Sequence, residues 1–82
     1  MRWEEVRGQF PEEWIVCEAL KSRSEDGYWI IDEVAVIDRF EDLSVAMKRY
    51  YELHRAQPYR EYCFFHTSRE TLKVRAGVGA LE

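Results

Sequence analysis

The chain has 82 residues, of which 46% are hydrophobic and 34% charged, and its formal net charge is −4. This length predicts one domain with a modest core, and the composition is typical of a folded protein rather than a disordered one. The acidic balance argues against a nucleic-acid or anionic-membrane partner, because phosphate groups bind to cationic surfaces.

The cysteines and the apolar segments of the sequence indicate the cellular compartment in which the protein is expected. Cys17 and Cys63 are too few and too far apart for a disulfide framework, so we expect reduced thiols in a cytoplasm. The sequence contains neither the long apolar run of a membrane helix nor that of a signal peptide, which predicts a cytoplasmic protein without a membrane partner. We expect residues 1–76 to form the domain and 77–82 a flexible tail, with 81–82 a remnant of an expression tag.

The N-terminal half predicts a short helix followed by a β-hairpin. Apolar residues recur at helical spacing in residues 2–10, a segment too short to be helical unless it docks on an apolar surface. Residues 14–22 and 28–37 predict two strands, and the Asp-Gly pair at 26–27 supplies the positive φ of a tight turn. The acidic pair at 32–33 interrupts the second apolar run and predicts a β-bulge.

A long helix is predicted over Asp38–Gln57, with Asp38 and Glu41 at the spacing of a capping box. Its charged residues lie mostly away from one apolar stripe, as expected for a helix that covers a core. The stripe consists of Phe40, Leu43, Ala46, Met47, Tyr50, Leu53 and His54.

Two further strands are predicted, an aromatic-rich one at 59–67 and a short one at 71–75. A right-handed crossover through the long helix makes strand three parallel to strand two and places it beside strand one. The expected fold is therefore α+β: a three- to four-stranded, mostly antiparallel sheet (ββαββ, order 2-1-3-4) packed against one long helix, with a short N-terminal helix.

The sheet is expected to be apolar on both faces, because strict alternation puts Ile31 and Val34 on opposite sides. One long helix can cover only one of those faces. The other can be covered by the N-terminal segment, by a second copy of the chain or by a partner. We expect the N-terminal segment to cover it, together with self-association, and so a homodimer.

Four residues could form a chemical site, namely Cys17, His54, Cys63 and His66. Cys63 and His66 are three apart on a strand and therefore point to opposite faces, which argues against a shared metal ion. The sequence contains neither a G-x-S-x-G elbow nor a glycine-rich phosphate loop. We expect no catalytic, cofactor or metal site, and keep a small enzyme or ligand site around His54, His66 and Cys63 as an alternative.

The basic stretch at 48–60 supplies a second alternative. Its cations are interleaved with tyrosines, a pattern that can bind single-stranded nucleic acid by stacking and phosphate contact. The residues concerned are Lys48, Arg49, Arg55 and Arg60. Basic residues near the C-terminus of a helix are also favoured by its dipole, which gives them a structural explanation.

Three stretches carry a resemblance to a group of proteins: Trp14-Ile15-Val16, the helical segment Phe40–His54, and Glu61–Ser68 with the sequence EYCFFHTS. Over roughly residues 10–75 the chain resembles small uncharacterised bacterial proteins of unknown function. The resemblance implies a cytoplasmic bacterial α+β domain and carries no catalytic residue to this chain.

The leading hypothesis is a non-catalytic protein-interaction domain that self-associates. Aromatic side chains supply much of the binding energy of interfaces, so the candidate anchors are aromatics expected to be exposed on the strands. These are Trp29, Tyr62 and Phe64.

Overall fold

The computed structural model describes residues 1–75 as two helices and one four-stranded sheet. The predicted α+β class with an antiparallel sheet is confirmed, whereas the predicted tail and tag remnant lie outside the described residues. Within these residues no helix is both long and apolar enough to cross a membrane. The elements are α1 (Trp3–Gln9), β1 (Trp14–Glu25), β2 (Tyr28–Phe40), α2 (Leu43–Ala56), β3 (Tyr62–His66) and β4 (Lys73–Arg75).

The hairpin of β1 and β2 forms the centre of the sheet. Asp26 and Gly27 have φ values of 52° and 79°, the left-handed conformation that a tight hairpin turn requires and that this residue pair tolerates. The strands have 12 and 13 residues and extend further than the predicted segments 14–22 and 28–37.

Three breaks in the register of the β1–β2 ladder leave Leu20, Asp32 and Ile37 without a cross-strand partner in it. The break at Asp32 confirms the predicted bulge. Because a bulge shifts the alternation by one residue, Ile31 and Val34 lie in the same buried cluster. The prediction that placed them on opposite faces is wrong, since it assumed unbroken alternation.

The order of the strands is β3-β1-β2-β4. Strand β1 lies between β2 and β3 as predicted, but β4 pairs with β2 and not with β3, so the predicted order 2-1-3-4 is wrong. After β3 the chain does not turn back at once. The carbonyls of Thr67 and Arg69 accept hydrogen bonds from Arg7 and Trp3 of α1, at 2.9 and 2.7 Å. These bonds hold the segment after β3 against α1, and the chain then reaches β2, with which β4 pairs.

Both faces of the sheet are covered within one chain. On the α2 face, Val16 and Phe64 are buried against Ala46 of α2. On the opposite side, the α1 face, Trp3 and Val6 of α1 are buried in the larger cluster. That cluster also contains Ile15, Cys17, Ile31, Val34, Cys63, Phe65, Leu72 and Val74. The N-terminal segment therefore covers the second face, as predicted.

Helix α2 starts later than predicted. Residues 38–40 continue β2, where Phe40 pairs with Trp14, and the N-cap is Asp42, whose side chain accepts a hydrogen bond from the Ser44 N–H at 2.9 Å. The predicted capping box at Asp38 is wrong because Asp38, Arg39 and Phe40 pair with β1, so the residues that follow Asp38 are part of a strand and not of a helix.

Because α1 covers one face of the sheet, valine-to-alanine substitutions on α1 and on α2 are expected to change the free energy of unfolding by different amounts. Val6 is fully buried, so Val6→Ala is expected to lower the free energy of unfolding by about 2 kcal/mol. Val45 on α2 is 44% exposed, and Val45→Ala is expected to change it by less than about 0.5 kcal/mol. Urea unfolding of both variants measures the difference, and equal effects would show that α1 does not contribute to the core.

Candidate interaction surface

The three predicted aromatic anchors have different positions. Phe64 is only 2% exposed and lies beneath α2, with its ring centroid 5.1 Å from that of Tyr50, so its prediction as an exposed anchor is wrong. Trp29 is half-buried and packs against the α1-face cluster, next to Val74 of β4. Tyr62 is half-buried on β3. Like Phe64, it lies on the strand that forms an open boundary of the sheet.

That boundary is the outer side of β3. The Ala19 N–H donates to the backbone carbonyl of Glu61 at 2.9 Å, and the Thr67 N–H donates to the backbone carbonyl of Glu13 at 3.0 Å. These two bonds show which residues of the β1–β3 ladder are hydrogen-bonded pairs. By this alternation Cys63 and Phe65 bond to β1.

The other residues of β3 direct their backbone groups away from β1. We call the outward N–H and C=O groups of Tyr62, Phe64 and His66 the β3 edge. Within residues 1–75 the only one with a backbone partner is the His66 carbonyl, which accepts from the Arg69 N–H. Five groups of the β3 edge are therefore available to another strand.

The β3 edge lacks the features by which sheets discourage strand pairing. Its sequence Tyr-Cys-Phe-Phe-His contains no charged residue and no proline, and its register with β1 is unbroken. The opposite side of the sheet is better protected. There β2 is bulged, β4 carries Lys73 and Arg75, and the backbone N–H of Val34 donates to the Met1 carbonyl.

One flank of α2 borders the β3 edge. Arg49 of α2 forms an ion pair with Asp38 of β2, at 3.5 Å, which places that flank toward β2. Tyr51 lies two residues on, about 200° around the helix, and so borders the β3 side. Its side chain is 48% exposed, and its ring meets that of Tyr50 edge-on. We call Ser44, Met47, Tyr51, His54 and Arg55 the α2 flank.

Sequence reasoning named Tyr62, Phe64 and Arg55 as interaction candidates but missed Tyr51 and the unpaired backbone of β3. Tyr51 falls outside the apolar stripe of α2, so its spacing marked it as solvent-facing rather than as a neighbour of an open strand. The uncharged run at 62–66 was a usable signal for an unprotected edge. This signal identifies the open edge only in combination with the position of β4, which pairs with β2 on the other side of the sheet.

The four cations proposed for nucleic-acid binding do not form one free patch. Arg49 is paired with Asp38, and Arg60 forms an ion pair with Glu18 at 3.1 Å. The hydrogen bond to Glu18 and its charge raise the pKa of Arg60. Lys48 and Arg55 are exposed on α2. Half of the proposed patch is therefore already neutralised by carboxylates of the same chain.

The sheet separates the residues of the alternative chemical site. Cys63 points into the α1 face, whereas His66 points into the α2 face, where its ring centroid lies 5.0 Å from that of Trp14. His54 is on α2, stacked on Tyr50. His66 also hydrogen-bonds to the Ser68 hydroxyl at 2.8 Å. Cys63 and the two histidines thus do not meet at one place.

Cys63 instead faces Cys17 across the β1–β3 ladder, with their Sγ atoms 3.5 Å apart. Both are free thiols and fully buried. The hydrogen bond that Cys63 shares with Cys17, followed by burial, raises the pKa of the Cys63 thiol. The thiolate, and not the thiol, is the nucleophile and metal ligand, and the raised pKa keeps Cys63 as a thiol. We therefore interpret the two buried cysteines as small core hydrophobes.

A shallow groove of about 380 Å³ lies between the start of α1, the middle of β2 and the segment that precedes β4. Its charged lining is mixed, with Arg2 and Lys73 against Glu4, Asp32 and Glu70. Neither histidine nor either cysteine is among its lining residues. Across residues 1–75, no group of three or more His, Cys, Asp or Glu side chains is placed to hold a metal ion.

Comparison of the chain with protein-family models, with curated proteins and with solved structures finds no match. The resemblance to small bacterial proteins therefore stays a prediction. The β3 edge and the α2 flank together form the candidate interaction surface.

The buried dithiol predicts the reactivity of the native protein. Ellman's reagent is expected to leave Cys17 and Cys63 unmodified in the folded state and to modify both in denaturant, because folding buries both thiols away from the reagent and disfavours the thiolate of Cys63. Ser68→Cys, at an exposed position, is the matched control and is expected to add one thiol that reacts at once. Rapid reaction of the native cysteines would contradict the placement of β3 against β1.

Proposed function

We propose that this protein is a non-catalytic protein-interaction domain that self-associates through the β3 edge. The single observation that carries the proposal is the set of outward backbone groups on an uncharged, unbulged strand. Strand addition at an exposed sheet edge is a common mode of protein recognition, in which backbone hydrogen bonds supply affinity and side chains supply specificity.

Backbone hydrogen bonds supply the first part of the binding energy. Each hydrogen bond formed on strand addition contributes about 1 kcal/mol net, so a few of them give only weak binding. The side chains beside the edge add apolar area. Tyr51 is 48% exposed, and Tyr62 and His66 are half-buried on the same face of the sheet. Burial of these aromatic surfaces can raise the affinity into a useful range.

Two features support interaction over the alternatives. Nucleic-acid binding would depend on Lys48 and Arg55, because Arg49 and Arg60 already pair with carboxylates. A ligand or enzymatic site would need Cys63 and the histidines together, and they lie on opposite faces of the sheet. The compartment in this proposal is the cytoplasm, where the dithiol of Cys17 and Cys63 stays reduced.

A charge placed on the β3 edge is expected to weaken self-association. Tyr62→Lys puts an ammonium group beside the pairing strand, a device that natural edge strands use against pairing, and should raise the dimer Kd about tenfold or more. Tyr59→Lys is the matched control, because Tyr59 is 79% exposed in the loop before β3. Light scattering across a concentration series measures the mass of each variant, and urea unfolding checks that both remain folded.

The wild type and the control are expected to associate alike. A wild-type protein that stays monomeric up to about 1 mM, where even −4 kcal/mol of binding would be visible, would refute self-association. Equal Kd values for the two variants would place the association elsewhere on the molecule.

A further inference from the structure

We infer that the occupant of the β3 edge is the β3 edge of a second copy of this chain, antiparallel to the first and centred on Phe64. This inference rests on the proposed function and specifies its partner and register. The two sheets then join into one sheet of eight strands, and the α2 helices lie side by side on the same face.

The backbone of β3 is self-complementary in this register. Pairing about Phe64 places Tyr62 opposite the partner's His66, and all three outward residues meet outward residues of the partner. Phe64 exchanges two hydrogen bonds with the partner's Phe64, and each His66 N–H donates to the Tyr62 carbonyl across the junction. Those four bonds use groups that have no backbone partner within residues 1–75. A register shifted by one residue would oppose outward groups to inward ones and form none of them.

The side chains of the strand fit the same register. Tyr62 and the partner's His66 share the α2 face, so the junction has an aromatic pair on each side of the two-fold axis. Since the strand has no charged residue, no like charges come face to face.

The position of α2 makes room for a second helix. Val16 of β1 and Phe64 of β3 both pack beneath α2, so the helix axis lies roughly above the space between these strands. With strands about 4.8 Å apart, the two α2 axes would then be about 10 Å apart, the usual separation of packed helices. The α2 flanks would face each other there.

The charges of α2 favour a second copy over an unrelated strand. In the two-fold arrangement the helices run antiparallel, so the acidic N-cap Asp42 of one approaches the basic last turn of the other. That last turn carries His54 and Arg55. The antiparallel dipoles attract as well. A lone foreign strand would satisfy the backbone but leave Tyr51 uncovered.

Cysteine cross-linking tests the register directly. Tyr62→Cys and His66→Cys proteins are mixed in equal amounts and oxidised with copper phenanthroline, with dioxygen accepting the electrons. Directly opposed residues of an antiparallel pair have Cα atoms about 5.5 Å apart, within the range of a disulfide. The mixture is expected to form a covalent dimer of one chain of each kind. Either variant alone is not, because position 62 then faces the partner's His66 and not another cysteine.

Two controls accompany the mixture. The wild type is expected to remain uncross-linked, since Cys17 and Cys63 are fully buried. Tyr59→Cys mixed with His66→Cys should give no specific dimer. If His66→Cys fails to fold, a spin label on the exposed Tyr51→Cys replaces it, and the register predicts a label-to-label distance below about 20 Å across helices about 10 Å apart.

The outcomes separate this inference from the proposed function. Light scattering on the wild type gives its mass, and cross-linking gives the register. A dimeric wild type whose mixed variants do not cross-link would overturn the antiparallel register while leaving self-association intact. Cross-links in the single variants would indicate a different register and also overturn it. A strictly monomeric wild type would overturn both.

Discussion

The structure depends on burying both faces of one small sheet. Strand β1 is the element on which this requirement falls most heavily, because it has a neighbouring strand on each side and apolar residues on both faces. Ile15 and Cys17 point toward α1, and Val16 points toward α2. A helix on one side alone would leave a face of aliphatic and aromatic residues in water, at a cost of roughly 25 cal/mol for each Å² exposed.

The two helices contribute unequally to this burial. Helix α2 is the longer helix but buries only Ala46 fully, whereas the seven-residue α1 buries both Trp3 and Val6. The short helix succeeds because the segment after β3 is bonded to it through the Thr67 and Arg69 carbonyls and crosses the same face. With both faces covered within residues 1–75, the β3 edge is an uncharged stretch of strand backbone that has no neighbouring strand. The proposed self-association therefore depends on strand pairing rather than on covering an apolar face.

Local features were predictable from the sequence because they depend on few residues. The Asp-Gly turn, the bulge at Asp32 and the docking of residues 2–10 each follow from backbone preference or periodicity. The start of α2 could not be predicted from the sequence, since Asp38 and Asp42 are both acceptable N-caps. Only the extent of the β1–β2 ladder decides between them. The position of β4, and with it the identity of the open edge, depends on long-range bonds to α1 that leave no local signature. The burial of Phe64 likewise depends on which face α2 covers.

We propose the β3 edge as the interaction surface, and amide hydrogen exchange followed by NMR measures its pairing residue by residue. Cys63 and Phe65 bond to β1 and should exchange slowly at every protein concentration, whereas the outward amide of Phe64 should exchange quickly in dilute protein. The Phe64 amide is expected to become protected as the concentration rises, together with that of His66. Rapid exchange of Phe64 at every concentration, in a sample whose mass shows association, would contradict it.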